Sequence, residues 1–304
     1  MKHAQVKLAI LIFSLLATNN VHAWGAKRPT TPSVPTTPTT PTTPTTPAVD
    51  PTGTYIEQIT SLAGSSACAS YSWKNRGKAP SGYIKGMALT FARGVCRLRA
   101  SEEVASPLIN LLSGALTGNA AKDALTYYKT NIATLGIETS TAGREPLRAL
   151  YTLGMGLGMR ESSGKYCEGW DRSAGSDRSS SEAEAGLFQS SYDSIGINAE
   201  LGKLYTEYKT GLKSCLLDTF KVGSTCTTSN LSNLGSGAGA DFQSFNKSCP
   251  AFSAEYAMTM LRVQRNHYGP INRKEAEVIA SCNTMLNSVQ DLIDNDPNAC
   301  DDIL

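Results

Sequence analysis

The sequence predicts a mainly α-helical fold with one small β or irregular region, and three observations lead there. Apolar residues recur at steps of three and four through most of the chain after residue 54. Period-two alternation of the kind a half-buried strand needs is sparse. A single stretch, 164–193, is rich in Ser, Gly and Asp and interrupts the helical pattern. In chain order, a helix is expected over 83–99, where Ile84, Ala88, Phe91, Val95 and Leu98 share a face. A second is expected over 120–135 on Leu125, Tyr128 and Ile132, and a third over 145–161. Leu201, Leu204 and Tyr208 open a fourth, 199–220; two more follow over 254–267 and 273–294. Between them, 164–193 reads as irregular or short β structure ending in AGLFQSSYDS, and 223–248, with its LGSGAGADFQ, as a coil forming a surface flap.

Ahead of this body lie two segments of other character. Residues 1–23 carry Lys2 and Lys7, the apolar run Leu8 to Leu16 and a small-residue site ending at Ala23, the pattern of a secretory signal. The run is shorter than the roughly 20 residues a bilayer span needs, so stable membrane insertion is not expected. Residues 24–53 include the repeated TTP of a Thr/Pro tether, extended and unable to bury apolar surface. Residues 54–304 then form the one domain with a core, expected as a monomer. Without Lys2 and Lys7 the 28 basic residues become 26 and match the 26 acidic ones, a balance that argues against nucleic acid as the main partner.

All eight cysteines follow the leader, and an even number in a chain exported to the periplasm or beyond implies disulfides. Their connectivity stays open. No C-x-x-C occurs and His267 is the one histidine after the leader, so neither a metal site nor a Ser-His-Asp triad nor any cofactor is expected.

The stretch REPLRALYTLGMGLGMRES aligns Leu147, Leu150, Gly154, Leu157 and Glu161 on one helix face. A carboxylate therefore ends an apolar stripe. Gly154, Gly156 and Gly158 each weaken a helix interior by about 1 kcal/mol relative to Ala, so another backbone or a ligand is expected to come close. Glu161 is either a buried acid with work to do or half of a helix-end ion pair with an arginine such as Arg148 or Arg160.

Glu161-Ser162-Ser163-Gly164 followed by Gly186-Leu187-Phe188-Gln189, with the later NHYGPI of residues 266–271, resembles the lysozyme superfamily, goose-type lysozymes and lytic transglycosylases in particular. The extended forms RESSGKYCEGWD and HYGPINRKEAE look most like exported lysozymes of predatory bacteria acting on deacetylated peptidoglycan. The resemblance spans about half of the chain, 145–276, with Phe188 where the family has Met. It implies an α+β lysozyme-like fold with a groove beside the irregular region. It also implies cleavage of β-1,4 bonds in peptidoglycan glycan strands.

Glycoside cleavage needs an acid that protonates the leaving oxygen, and burial at the end of an apolar stripe raises a carboxyl pKa toward that task. Glu161 is the expected acid. Hydrolysis also needs a second carboxylate, for which Asp171 and then Glu184 are favoured over Asp177 and Glu182. Acids in that loop also suit the ammonium of a deacetylated sugar, unless Arg172 and Arg178 neutralise them. Ser162 and Gln189 are candidate hydrogen-bond partners of the sugar, with local turn capping as the alternative. Trp170 and Tyr268, then Tyr166 and Tyr192, are candidate ring-stacking faces, and His267 is expected to cap its helix. Two further readings fit the same residues: a lytic transglycosylase, which forms an anhydro-muramyl end without the second acid, and a non-catalytic wall-binding protein held by the tether.

Overall fold

Two long helices, Ser81–Ala100 and Arg144–Ser162, pack against each other and set the frame for everything else. In the computed structural model, residues 53–102, 106–172, 175 and 177–304 are described; the expected leader and all of the tether but Gly53 lie outside them. Tyr55–Ser65 lies on the first of the two helices, while Pro250–Val263 and Ala280–Asp294 each contact both. From Gly82 to Cys96 every residue of the first helix except the half-buried Lys85 is buried, as expected of a helix that is apolar on most of its circumference. Charges enclosed with it are met by partners: Glu255 meets Arg97 and Lys213, Arg262 lies 3.1 Å from Asp123, and Arg93 donates to the carbonyls of Ser214 and Ile303. Such pairs satisfy what burial would otherwise make costly.

The glycines of the 144–162 helix are explained by packing. A Cβ on Gly154 would strike Met258, one on Gly158 would strike the Tyr83 hydroxyl, and one on Gly156 would strike the backbone of Glu277. The close approach expected there is thus made by the protein itself. Four disulfides, Cys68–Cys282, Cys96–Cys300, Cys167–Cys226 and Cys215–Cys249, tie the ends of the domain and its loops to this frame. They suit an oxidising compartment. No helix among the described residues is long and apolar enough to cross a membrane.

The mainly helical expectation holds, with several boundaries moved. The 199–220 stretch stops at Lys209, because Gly211 and Leu216 take left-handed backbone and Cys215 is drawn to Cys249; a short helix, Leu217–Lys221, follows. The 120–135 stretch breaks at Tyr128 into Ala124–Tyr127 and Lys129–Ala133. Residues 273–279 are not helical: Lys274 has φ 54°, and the last long helix begins at Ala280. Pro250 at the first turn starts its helix four residues before the expected 254, and one 3₁₀ turn, Arg265–His267, ends that region. Tyr55–Ser65, closed by a capping box from Thr54 and Glu57, went unpredicted, as did Ala238–Ser248 inside the expected 223–248 coil. The paired strands are Ser72–Trp73 and Gly77–Lys78, outside 164–193, where one bridge joins Ala185 to Ser190.

Candidate functional site

The 144–162 helix ends by reversal. Ser163 and Gly164 take left-handed backbone (φ 57° and 74°), and their N–H groups turn back to the carbonyls of Met159 (3.1 Å) and Gly158 (3.2 Å). Glu161 is held in the last turn before this reversal, at the edge of a groove of about 430 Å³. Facing it are Glu168 to Arg172 on one loop, Glu184 and Gln189 on a second, and Ser229 and Asn230 on a third.

The first two loops are laced by backbone. The Gly186 N–H donates to the Glu168 carbonyl (2.8 Å) and the Asp171 N–H to that of Glu184 (3.3 Å). Residues 186–189 form the turn between the bridged Ala185 and Ser190, with Leu187 and Phe188 fully buried as anchors. Gly186 (φ 83°) has the core residue Asn246 against it, which leaves no room for a Cβ. Gln189, left-handed at φ 45°, donates its amide to the carbonyls of Gly186 (3.0 Å) and Gly169 (3.2 Å). Its amide nitrogen thus braces the two loops, while the residue still lines the groove.

Among the described residues, none hydrogen-bonds or ion-pairs with the Glu161 carboxyl. The arginines that sequence offered as partners are engaged elsewhere: Arg148 with Asn283 and Gln290, Arg160 with Glu275 at 2.9 Å. Burial pushes Glu161 up to about 8, and the charge of Glu184 pushes the same way; Arg273, Arg76 and Arg160 oppose them. The negative end of the helix dipole favours the neutral acid too. Glu184 is itself raised, by burial first and then by Asp171, against the pull of Arg178. Glu161, Glu184 and Asp171 therefore form a chain of electrostatically linked carboxyls. His267, which burial keeps on the neutral side of its ordinary value, points its Nε2 at Glu184 Oε1 from 3.8 Å instead of capping its helix.

Of the residues singled out in sequence, the structure brings Glu161, Asp171, Glu184, Trp170 and Gln189 to one groove. Others fall elsewhere. The Ser162 hydroxyl is buried and donates back to the Gly158 carbonyl (3.1 Å), a bond within its own helix. Tyr268 is 2 % exposed, beneath the site, with its hydroxyl on Ser190 Oγ at 3.2 Å. Tyr192 packs on the Phe242 ring, and Tyr166 on the core. Tyr268 is therefore a packing residue, while Tyr192 and Tyr166 are half-buried and lie outside the groove lining. Asp177 is exposed outside the groove, and Glu182 is bound by the Ser179 N–H and hydroxyl (both 2.9 Å), a turn cap that lowers its pKa. Arg172 lies over Trp170 (5.5 Å) and reaches Ser232 Oγ at 3.1 Å. Sequence reasoning missed Glu168, Ser229 and Asn230, which no local pattern distinguishes from ordinary loop polarity. Among the described residues no group of three or more His, Cys, Asp or Glu side chains is suited to hold a metal ion. Comparison with protein-family models, with curated proteins and with solved structures gave no match.

Proposed function

We propose that this chain is a lysozyme-like glycosidase that hydrolyses β-1,4 bonds of peptidoglycan, with Glu161 as the general acid. The observation that carries this reading is a carboxyl in a groove, without a hydrogen-bond or ion-pair partner among the described residues and held up at about 8 by burial and by Glu184. At pH 7 such a group keeps its proton about nine-tenths of the time, whereas an ordinary glutamic acid keeps it less than about one time in a hundred. That proton goes to the bridging oxygen, the C1–O bond breaks with its electron pair passing to that oxygen, and positive charge develops at C1 and the ring oxygen. A water then adds to C1 and gives up a proton to a second carboxylate. Glu184 stands first for that role because its charge acts directly on Glu161, while Asp171 acts on Glu184. That order reverses the preference drawn from sequence.

Beside the protonated Glu161, three further carboxyls, Glu168, Asp171 and Glu184, line the groove against one cation, Arg172, and this balance favours a sugar carrying an ammonium in place of an acetamide. The test is to digest sacculi before and after chemical N-acetylation and to weigh the products. Hydrolysis gives reducing ends, and acetylation slows release. An anhydro-muramyl end would replace hydrolysis by transglycosylation, undiminished clearing by Glu161→Gln would remove Glu161 as the acid, and binding to sacculi without clearing by the parent would leave a wall-binding protein.

A further inference from the structure

The third wall of the groove is a strap, residues 224–237, whose position has little to do with hydrophobic burial. Its one helical turn, Thr228–Leu231, buries no residue, and Leu231 is 56 % exposed. Polar and covalent anchors hold it instead. Cys226 is bonded to Cys167, next to Glu168. Gln243 accepts from the Leu234 N–H (2.8 Å) and donates to the Leu234 carbonyl (3.2 Å). Lys247, only 4 % exposed, donates its ammonium to the carbonyls of Asn230 (3.3 Å), Leu231 (3.0 Å) and Ser232 (2.7 Å) and to Asn233 Oδ1 (2.6 Å). No described carboxylate ion-pairs with it. A buried ammonium facing only carbonyl dipoles is an unusual expense, and burial draws it down to about 8. What it secures is the backbone at Asn230.

The Asn230 side chain is oriented with equal care. Its Oδ1 accepts from the Thr227 N–H (3.0 Å) and hydroxyl (2.8 Å), which fixes the amide plane. Nδ2 is thereby turned toward Glu168 Oε1, at 3.5 Å, a long contact inside the groove. A fixed amide donor and a carboxylate acceptor stand side by side with a loose bond between them. Sugar hydroxyls, each both donor and acceptor, complete such a pair on both sides.

We infer that Glu168 and Asn230 form a further sugar-binding subsite that grips neighbouring ring hydroxyls, and that Lys247 is its positioning residue. The inference rests on the glycosidase reading above. It is tested on the full chain carrying Glu161→Gln to stop turnover, with chitotetraose and its fully deacetylated counterpart as probes in titration calorimetry. Asn230→Ala and Glu168→Gln each weaken both tetramers about tenfold, the worth of one hydrogen bond to a charged or fixed polar partner. Both substitutions are at the groove surface and leave the melting temperature nearly unchanged. Lys247→Met weakens binding to the same extent, and adding it to Asn230→Ala costs no further affinity, since it acts through that residue. Unchanged affinity in Asn230→Ala or Glu168→Gln, additive losses for Lys247→Met, or failure of the parent to bind either tetramer overturns the subsite. A loss confined to the deacetylated tetramer would make Glu168 an ammonium ligand and overturn the hydroxyl grip. Sacculus clearing by Glu161→Gln, measured separately, would sink the acid assignment without touching the affinity comparison.

Discussion

Replacing Glu161 by Gln should change the pH dependence of stability as well as activity, and the two effects have opposite signs. The folded chain holds this proton up to about 8, whereas the unfolded chain releases it near 4.5. Because the folded pKa is the higher, the native state gains from the protonated acid below pH 4.5 and loses that gain as pH rises toward 8. At pH 7 the full shift corresponds to a penalty of about 3 kcal/mol; the carboxyl is only half-buried and the open groove screens it, so about 1–2 kcal/mol is the working figure. Gln keeps the shape and the hydrogen-bonding capacity of the protonated acid and carries no such penalty. Thermal melts at pH 4 and pH 7 should therefore show the Gln variant gaining on the parent by about 2–8 °C over that interval, given roughly 2–4 °C per kcal/mol for a domain of this size. In the same preparation, clearing of sacculi should fall at least about a hundredfold. A melting difference that stayed constant with pH, or that grew in the parent's favour, would refute the claim that this carboxyl is held neutral by its surroundings.

Three further outcomes follow from the same geometry. Burial does most to raise Glu161 and the Glu184 charge adds to it, so Glu184→Gln should move the alkaline limb of the pH–rate profile to lower pH while the rate itself drops, as read from initial rates between pH 5 and 9. Gly156→Ala drives a methyl into the Glu277 backbone, which cannot swing aside as a side chain can; a loss of about 1–3 kcal/mol in urea unfolding is expected despite the better helix propensity of Ala. Glu255→Gln leaves Arg97 and Lys213 short of their buried counter-charge and should cost about 3–5 kcal/mol in the same assay.

Periodicity reveals helices where one face is apolar and long, and the 145–161 stripe with Glu161 at its end was legible for that reason. It misleads where the chain turns for tertiary reasons. Nothing local in 199–220 announces that Cys215 is pulled to Cys249, and nothing in 273–279 announces that the Glu277 backbone must lie flat against Gly156. Both breaks are imposed by partners distant in sequence, which override a helical pattern that is otherwise sound. The β signal failed differently. The Gly and Ser of 164–193 make a laced pair of loops rather than a ladder, because beyond the Ala185–Ser190 bridge the chain enters the 3₁₀ helix Tyr192–Ile197 on one side and Glu184 turns its carbonyl to the Asp171 N–H on the other.

The candidate site divides along the same line. Glu161, Asp171, Glu184, Trp170 and Gln189 lie within thirty residues of one another and were found because one helix end and one turn gather them. Ser229 and Asn230 come from about forty to seventy residues further on and are brought to the groove by the pairing of Cys167 with Cys226, one of about a hundred possible frameworks for eight cysteines, together with the Gln243 and Lys247 anchors. Exposed polar residues in a coil carry no period and no burial signal, so the wall opposite the acid was invisible until the crosslink was known. Lys247 shows the reverse case: a lysine in a stretch that reads as a surface coil is expected to face solvent, yet here its charge is taken indoors to hold a strap none of whose residues is fully buried. A loop built without a core must be fixed by such means if it is to present side chains to a ligand at a repeatable distance, and the anchors on 224–237 converge on the two residues that reach the groove.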